Sequence, residues 1–159
     1  RLNLNKKEVL VSLARTLNYI HLSGFVHRDL KTMNVVITQN NFPKLIDFGL
    51  SRSVADLNRG NNKNAATPSY SAPELFLQLE LTQKVDVYSF GVIVWEVLTG
   101  EIPFKGMSPS EIKKFVLDKS KLSTKGLSMC SSEVIEKCCS YLPEDRPTMD
   151  SVIQMLNKL

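Results

Sequence analysis

Eight consecutive residues, HRDLKTMN at 27–34, bring together an acid (Asp29), two cations (Arg28 and Lys31) and a side-chain amide (Asn34). A second acid, Asp47, follows in the triplet DFG. These side-chain types suit the transfer of a phosphoryl group from a nucleotide. That reaction needs a divalent ion bridging phosphate oxygens, oxygen ligands for the ion, and an acceptor held in line. Mg²⁺ favours carboxylate and carbonyl oxygens, and Asn34 and Asp47 offer one of each. Asp29 is then left to face the acceptor. An aspartate carboxylate is a weak base at neutral pH, so its useful work is to orient a hydroxyl and take the proton late. Lys31 can neutralise charge on the group in transfer.

For that chemistry the chain must hold Asn34 and Asp47 together. The β-branched runs VVIT and PKLIDF flank QNNF, a pattern that predicts a small hairpin with those two residues at its ends. Upstream, Leu10, Leu13, Leu17 and Ile20 recur at helical spacing over residues 5–23, and Gly24 stops the run. Residues 25–34 read as a loop. A long irregular stretch from Leu50 to about Glu74 follows, and loops of that length in compact domains are usually functional or disordered. From about Thr82 to Leu98 the chain is apolar on most helical faces, which predicts the buried centre of the domain, ended by Gly100 and Pro103. Helices are expected at 109–118, at 131–142 and over the closing RPTMDSVIQMLNKL, with Pro147 in its first turn.

Bulk properties fit one globular unit of 159 residues, with 43% hydrophobic and 23% charged side chains. Residues 1–70 carry ten cations against four acids; the remainder carries ten against twelve. The basic excess around residues 27–34 suits a polyanionic partner such as a nucleotide, and a mildly basic surface accounts for it equally. Cys130, Cys138 and Cys139 form no C-x-x-C pair, which points to apolar packing and a reducing compartment. The most apolar window, VYSFGVIVWEVLTG, contains Glu96, follows Asp86 and is too short to span a bilayer. No signal-peptide pattern is present. The absent initiator Met gives the expectation of a piece of a longer chain.

HRDLKTMN, DFG at 47–49 and APE at 72–74, in that order, resemble the signature set of eukaryotic protein kinase catalytic domains. DVYSFGVIVWEVLTGEIPF and the RP at 146–147 extend the likeness to essentially the whole chain. The implied fold is mainly α: residues 1–159 form the C-terminal, large lobe, with a small β-hairpin beside the catalytic loop. The catalytic loop is 27–34, the activation segment 47–74 and the central helix about 82–98. No G-x-G-x-x-G loop, V-A-I-K lysine or following helix glutamate occurs, so the small lobe is absent from these residues.

The resemblance also implies roles. Asp29 is similar to the catalytic-loop base, Asn34 and Asp47 to the metal ligands, and Val36 to the residue beneath adenine. Lys31 stands two residues after Asp29 as in serine/threonine kinases, Thr67 in TPSYSAPE is similar to the threonine that contacts that Asp and Lys pair there, and YSFGVIVWEVLTG resembles the tyrosine-kinase-like group. ATP and Mg²⁺ are the implied cofactors. Proteins carrying Ser or Thr are the implied substrates, with no nucleic acid and no membrane contact from this segment. The expected location is the cytoplasm, or the cytoplasmic side of an anchored parent.

His27 is expected to pack on Phe48, Asp86 to bond catalytic-loop amides, and Glu74 to pair with Arg146. Phe90, Trp95, Met149 and Met155 read as core. Arg28 in such loops meets a phosphate on the activation segment or else nearby carbonyls. Yet no Ser, Thr or Tyr lies between Ser53 and Thr67, and Ala66 stands where glycine is common. That leaves phosphorylation at Ser51, Ser53, Thr67 or Ser69, charge supplied by Asp56, or activation with no loop phosphate. The competing reading is a pseudokinase or truncated scaffold that binds partners.

Overall fold

The structure is a computed structural model that describes residues 5–40, 42–59 and 67–159. Ala66 and residues 60–64 of the Asn-rich stretch, on which two of the expectations above fall, lie outside them.

Helix α1 (Lys6–Leu22) starts at Asn5, whose side chain accepts the Glu8 N–H at 3.3 Å, and buries Leu10, Leu13 and Leu17. Gly24, at φ +80°, turns the chain into β1 (Phe25–Val26). The expected hairpin forms from β2 (Val35–Ile37) and β3 (Pro43–Leu45), antiparallel, with Val35 opposite Leu45. β4 (Arg52–Ser53) pairs antiparallel with β1. This second ribbon corrects the reading of residues 25–34 as plain loop; two-residue strands are too short to show a period of two.

A four-residue helix, α2 (Pro73–Phe76), closes the stretch read as irregular, with Pro73 in its first turn. The central helix α3 (Lys84–Thr99) buries every residue from Val85 to Trp95, and Gly100 caps it in the left-handed conformation at φ +74°. α4 (Pro109–Leu117) carries a capping box between Ser108 and Glu111. It buries Ile112 and Val116 while Lys113 and Lys114 face outward.

The last two helices are displaced from expectation. α5 (Met129–Cys138) starts earlier because Ser128 caps it, accepting the Ser131 N–H at 3.1 Å. It ends earlier too, because the Arg146 side chain takes the Ser140 and Tyr141 carbonyls that would continue it. α6 (Met149–Leu156) is capped by Thr148, so Pro147 lies before the helix instead of in its first turn.

The core is one cluster around α3 that includes Phe90, Trp95 and Met149; Met155 is only half-buried at its edge. Of the cysteines, Cys138 is buried and Cys139 half-buried, and burial pushes the Cys139 thiol up to about 12. Cys130 departs from the expected packing: on the first turn of α5 it is exposed. No helix among the described residues is long and apolar enough to cross a membrane.

Candidate active site

Asp86, in the first turn of α3, fixes the path of residues 27–28. Its Oδ2 accepts the His27 N–H at 2.8 Å and its Oδ1 the Arg28 N–H at 2.9 Å. His21 Nε2 lies 2.9 Å from Oδ2. Arg28 adopts φ +70°, a left-handed conformation that costs a non-glycine residue about 1–3 kcal/mol unless its surroundings enforce it. Two charge-assisted hydrogen bonds donated to a fully buried carboxylate supply that enforcement. Below Asp29, His27 is buried edge-on to Phe48 at 5.0 Å between ring centres, and its Nδ1 accepts the Asp29 N–H at 3.3 Å. The ring is packing support, as the resemblance to kinases implied.

At Asp29 three side chains converge. Thr67 Oγ1 donates to Asp29 Oδ1 at 3.2 Å and accepts from Lys31 Nζ at 2.9 Å. Lys31 Nζ also lies 3.0 Å from Asp29 Oδ2. The result is a closed triangle between residues 36 and 38 positions apart in sequence. Asn34 joins from the 3₁₀ turn Thr32–Asn34, its Nδ2 donating to the Asp29 carbonyl at 2.8 Å and to Asp29 Oδ2 at 3.2 Å. The carboxylate is thereby aimed from three directions, and only a tenth of its side chain remains exposed.

The hairpin extends one step beyond β3, with the Ile46 N–H donating to the Asn34 carbonyl at 2.9 Å. Asp47 comes next. Its φ of +60° swings the chain out of the ribbon, and its exposed carboxylate accepts the Gly49 N–H at 3.2 Å through Oδ1. The ribbon therefore brings the backbones at 34 and 47 side by side, while the Asn34 amide turns to Asp29. Because Nδ2 serves Asp29, the Asn34 amide oxygen is the atom left to coordinate. Among the described residues no three acidic, histidine or cysteine side chains converge as a metal cluster. One amide oxygen and one solvent-facing carboxylate, both hard donors, suit a Mg²⁺ that keeps waters and phosphates as its other ligands. Val36, on β2 beside them, is 46% exposed.

Arg28 is 7% exposed, and its guanidinium donates to the Leu50 carbonyl at 3.4 Å. Burial, with Arg52 alongside, lowers its pKa against the opposing pull of Asp86. The charge on Asp56 is directed elsewhere: Oδ1 meets Arg59 at 2.9 Å and Oδ2 accepts from Ser53 at 2.8 Å. Glu74 and Arg146 form the expected buried pair, Nη1–Oε1 at 2.6 Å and Nη2–Oε2 at 2.8 Å.

Sequence reasoning missed a second polar group. Tyr70 donates to Glu96 Oε2 at 2.7 Å, and Thr32 donates to Glu96 Oε1 at 3.1 Å. These bonds tie the stretch after Thr67 to both residues 27–34 and α3. Burial above all pushes the Tyr70 hydroxyl up to about 12. A glutamate inside the apolar α3 pattern was the one available signal.

The mainly helical body, its small hairpin and its polar centre fit the large lobe of a protein kinase fold. Residues 3–156 match the family model described as "Protein tyrosine and serine/threonine kinase". A probable serine/threonine-protein kinase of Dictyostelium discoideum is 33% identical over 155 residues, or 96% of this chain and 17% of that protein. The serine/threonine/tyrosine-protein kinase HT1 of Arabidopsis thaliana is 32% identical over 171 residues, or 99% of this chain and 44% of its own length. Mitogen-activated protein kinase kinase kinase 12 of Rattus norvegicus is 35% identical over 150 residues, 92% of this chain and 17% of its own. The chain belongs to the protein kinase family, resembles the tyrosine-kinase-like group within it, and spans less than half the length of these relatives.

Proposed function

We propose that the chain is the large lobe of a protein serine/threonine kinase, with residues 27–34 as catalytic loop and 47–74 as activation segment. The parent protein transfers a phosphoryl group to Ser and Thr hydroxyls of protein substrates. The observation that carries this reading is the triangle of Asp29, Lys31 and Thr67. A substrate chain resting along residues 67–71 presents its hydroxyl beside Asp29, which orients it and takes its proton late. Lys31 offsets negative charge as the acceptor bond forms. Mg-ATP, when bound, supplies the phosphoryl group; Asn34 and Asp47 would hold the ion, and Val36 would underlie the base. A cytoplasmic setting fits these substrates.

The test uses the parent protein with ATP, Mg²⁺ and a mixed Ser/Thr/Tyr peptide pool. Wild type is expected to label Ser and Thr, and Asp29→Asn to lower the rate by roughly 10²–10⁴-fold. Dominant Tyr labelling would overturn the specificity. Equal signal from wild type and Asp29→Asn would overturn the enzyme in favour of a partner-binding scaffold.

A further inference from the structure

Many kinases order the activation segment with a phosphorylated side chain. Here no hydroxyl-bearing residue lies between Ser53 and Thr67, and unmodified side chains are on hand to set the segment's path. Two adjacent residues do so. Leu57 is buried to 2% exposure within the main core cluster. Asn58 Nδ2 donates to the Leu81 carbonyl at 3.0 Å, while Asn58 Oδ1 accepts the Leu81 N–H at 2.7 Å. One side-chain amide thus satisfies both backbone groups of a single residue 23 positions away, in the manner of a β-bridge. Leu81 is itself 2% exposed and lies between α2 and α3, on the far side of the APE triplet. Asn58 therefore anchors the segment eleven residues after Asp47, and Thr67 anchors it again on Asp29 and Lys31.

We infer that Asn58 is a positioning residue of the phosphotransfer site, holding the activation segment by this two-way amide bond in place of a phosphate. Ser53 supports the same path unmodified, since its Oγ donates to Asp56 Oδ2 and accepts the Asp56 N–H at 3.2 Å. A dianionic phosphate on Ser53 would face the Asp56 carboxylate and break that turn. The geometry suits Asn and not its neighbours in chemistry: an ionised Asp keeps the acceptor but opposes the Leu81 carbonyl, and Ala supplies neither group.

The inference rests on the kinase reading, and its test separates the two. In the parent protein, Asn58→Ala is expected to raise the KM for peptide about tenfold, the scale of losing two partly buried hydrogen bonds. The KM for ATP stays unchanged, and Asn58→Asp falls between wild type and Asn58→Ala. Phosphatase-treated wild type keeps its activity. A fall in Vmax that matches the fall in folded protein, with both KM values unchanged, would indicate lost protein only and overturn the positioning role. Activity that vanishes with removal of a phosphate mapped to residues 51–71 would also overturn it.

Amide exchange at Leu81 reads the same bond without catalysis. Protection in untreated and phosphatase-treated wild type, lost in Asn58→Ala, is expected; rapid exchange in wild type would sink the inference. Absence of Asp29-dependent transfer, with Leu81 protected as described, would instead count against the kinase reading alone.

Discussion

Arg146 is completely enclosed, yet every face of its guanidinium is matched. Glu74 takes one edge, the Ser140, Tyr141 and Lys84 carbonyls take the remaining N–H groups, and the Tyr88 ring lies 5.1 Å from Cζ. Removing one partner from such a pair strands the other charge in the interior. Glu74→Ala is expected to destabilise the lobe by about 3–5 kcal/mol, read as a lower urea midpoint at unchanged slope. Tyr70 gives a pH dependence of definite sign. Its hydroxyl ionises near 12 when folded and near 10 when unfolded, so its contribution is intact below pH 10 and is lost as pH rises through 12. The melting temperature should therefore fall above about pH 10, and more shallowly in Tyr70→Phe.

Between elements, the close approach of α5 to α3 depends on Gly91. A Cβ there would stand 2.6 Å from Cys139 Sγ, 2.7 Å from Cys138 Cβ and 3.3 Å from the Cys139 amide nitrogen. The sulfur can rotate away; the other two atoms belong to the path of α5 and cannot. Alanine gains roughly 1 kcal/mol of helix propensity over glycine, but forcing an atom into a packed contact costs about 1–3 kcal/mol. Gly91→Ala is expected to be net destabilising, measured by thermal unfolding, whereas the same change on an exposed helix would stabilise.

Across the whole molecule, large apolar side chains gather uncovered on and around the β2–β3 ribbon: Met33, Val36, Phe42, Ile46 and Phe48 are 43–70% exposed. Surfaces of that kind mark contact with another body. On the kinase reading, that body is the small lobe, which also roofs the nucleotide. Positioning is worth about 7–11 kcal/mol of a bimolecular barrier, so residues 1–159 alone should give no phosphoryl transfer above the Asp29→Asn background, and should self-associate in light scattering. A monodisperse fragment with robust Asp29-dependent turnover would contradict both expectations.

Spacing and periodicity alone placed the hairpin, the buried central helix and the order of the three motifs, because each is specified by residues within a turn or a strand of one another. The polar pairs at Asp86 and at Glu74 were reachable through the likeness to kinases. Other features had no local trace. Two-residue strands β1 and β4 carry no pattern, the C-terminal end of α5 depends on an arginine six residues beyond Ser140, and neither Asn58 nor Tyr70 differs in its sequence setting from a solvated loop residue. Which carbonyl Asn58 reaches and which carboxylate Tyr70 meets were decided only when packing around α3 brought distant segments into register. Directional hydrogen bonds form where that packing leaves donors and acceptors facing each other, and no short window of sequence contains both.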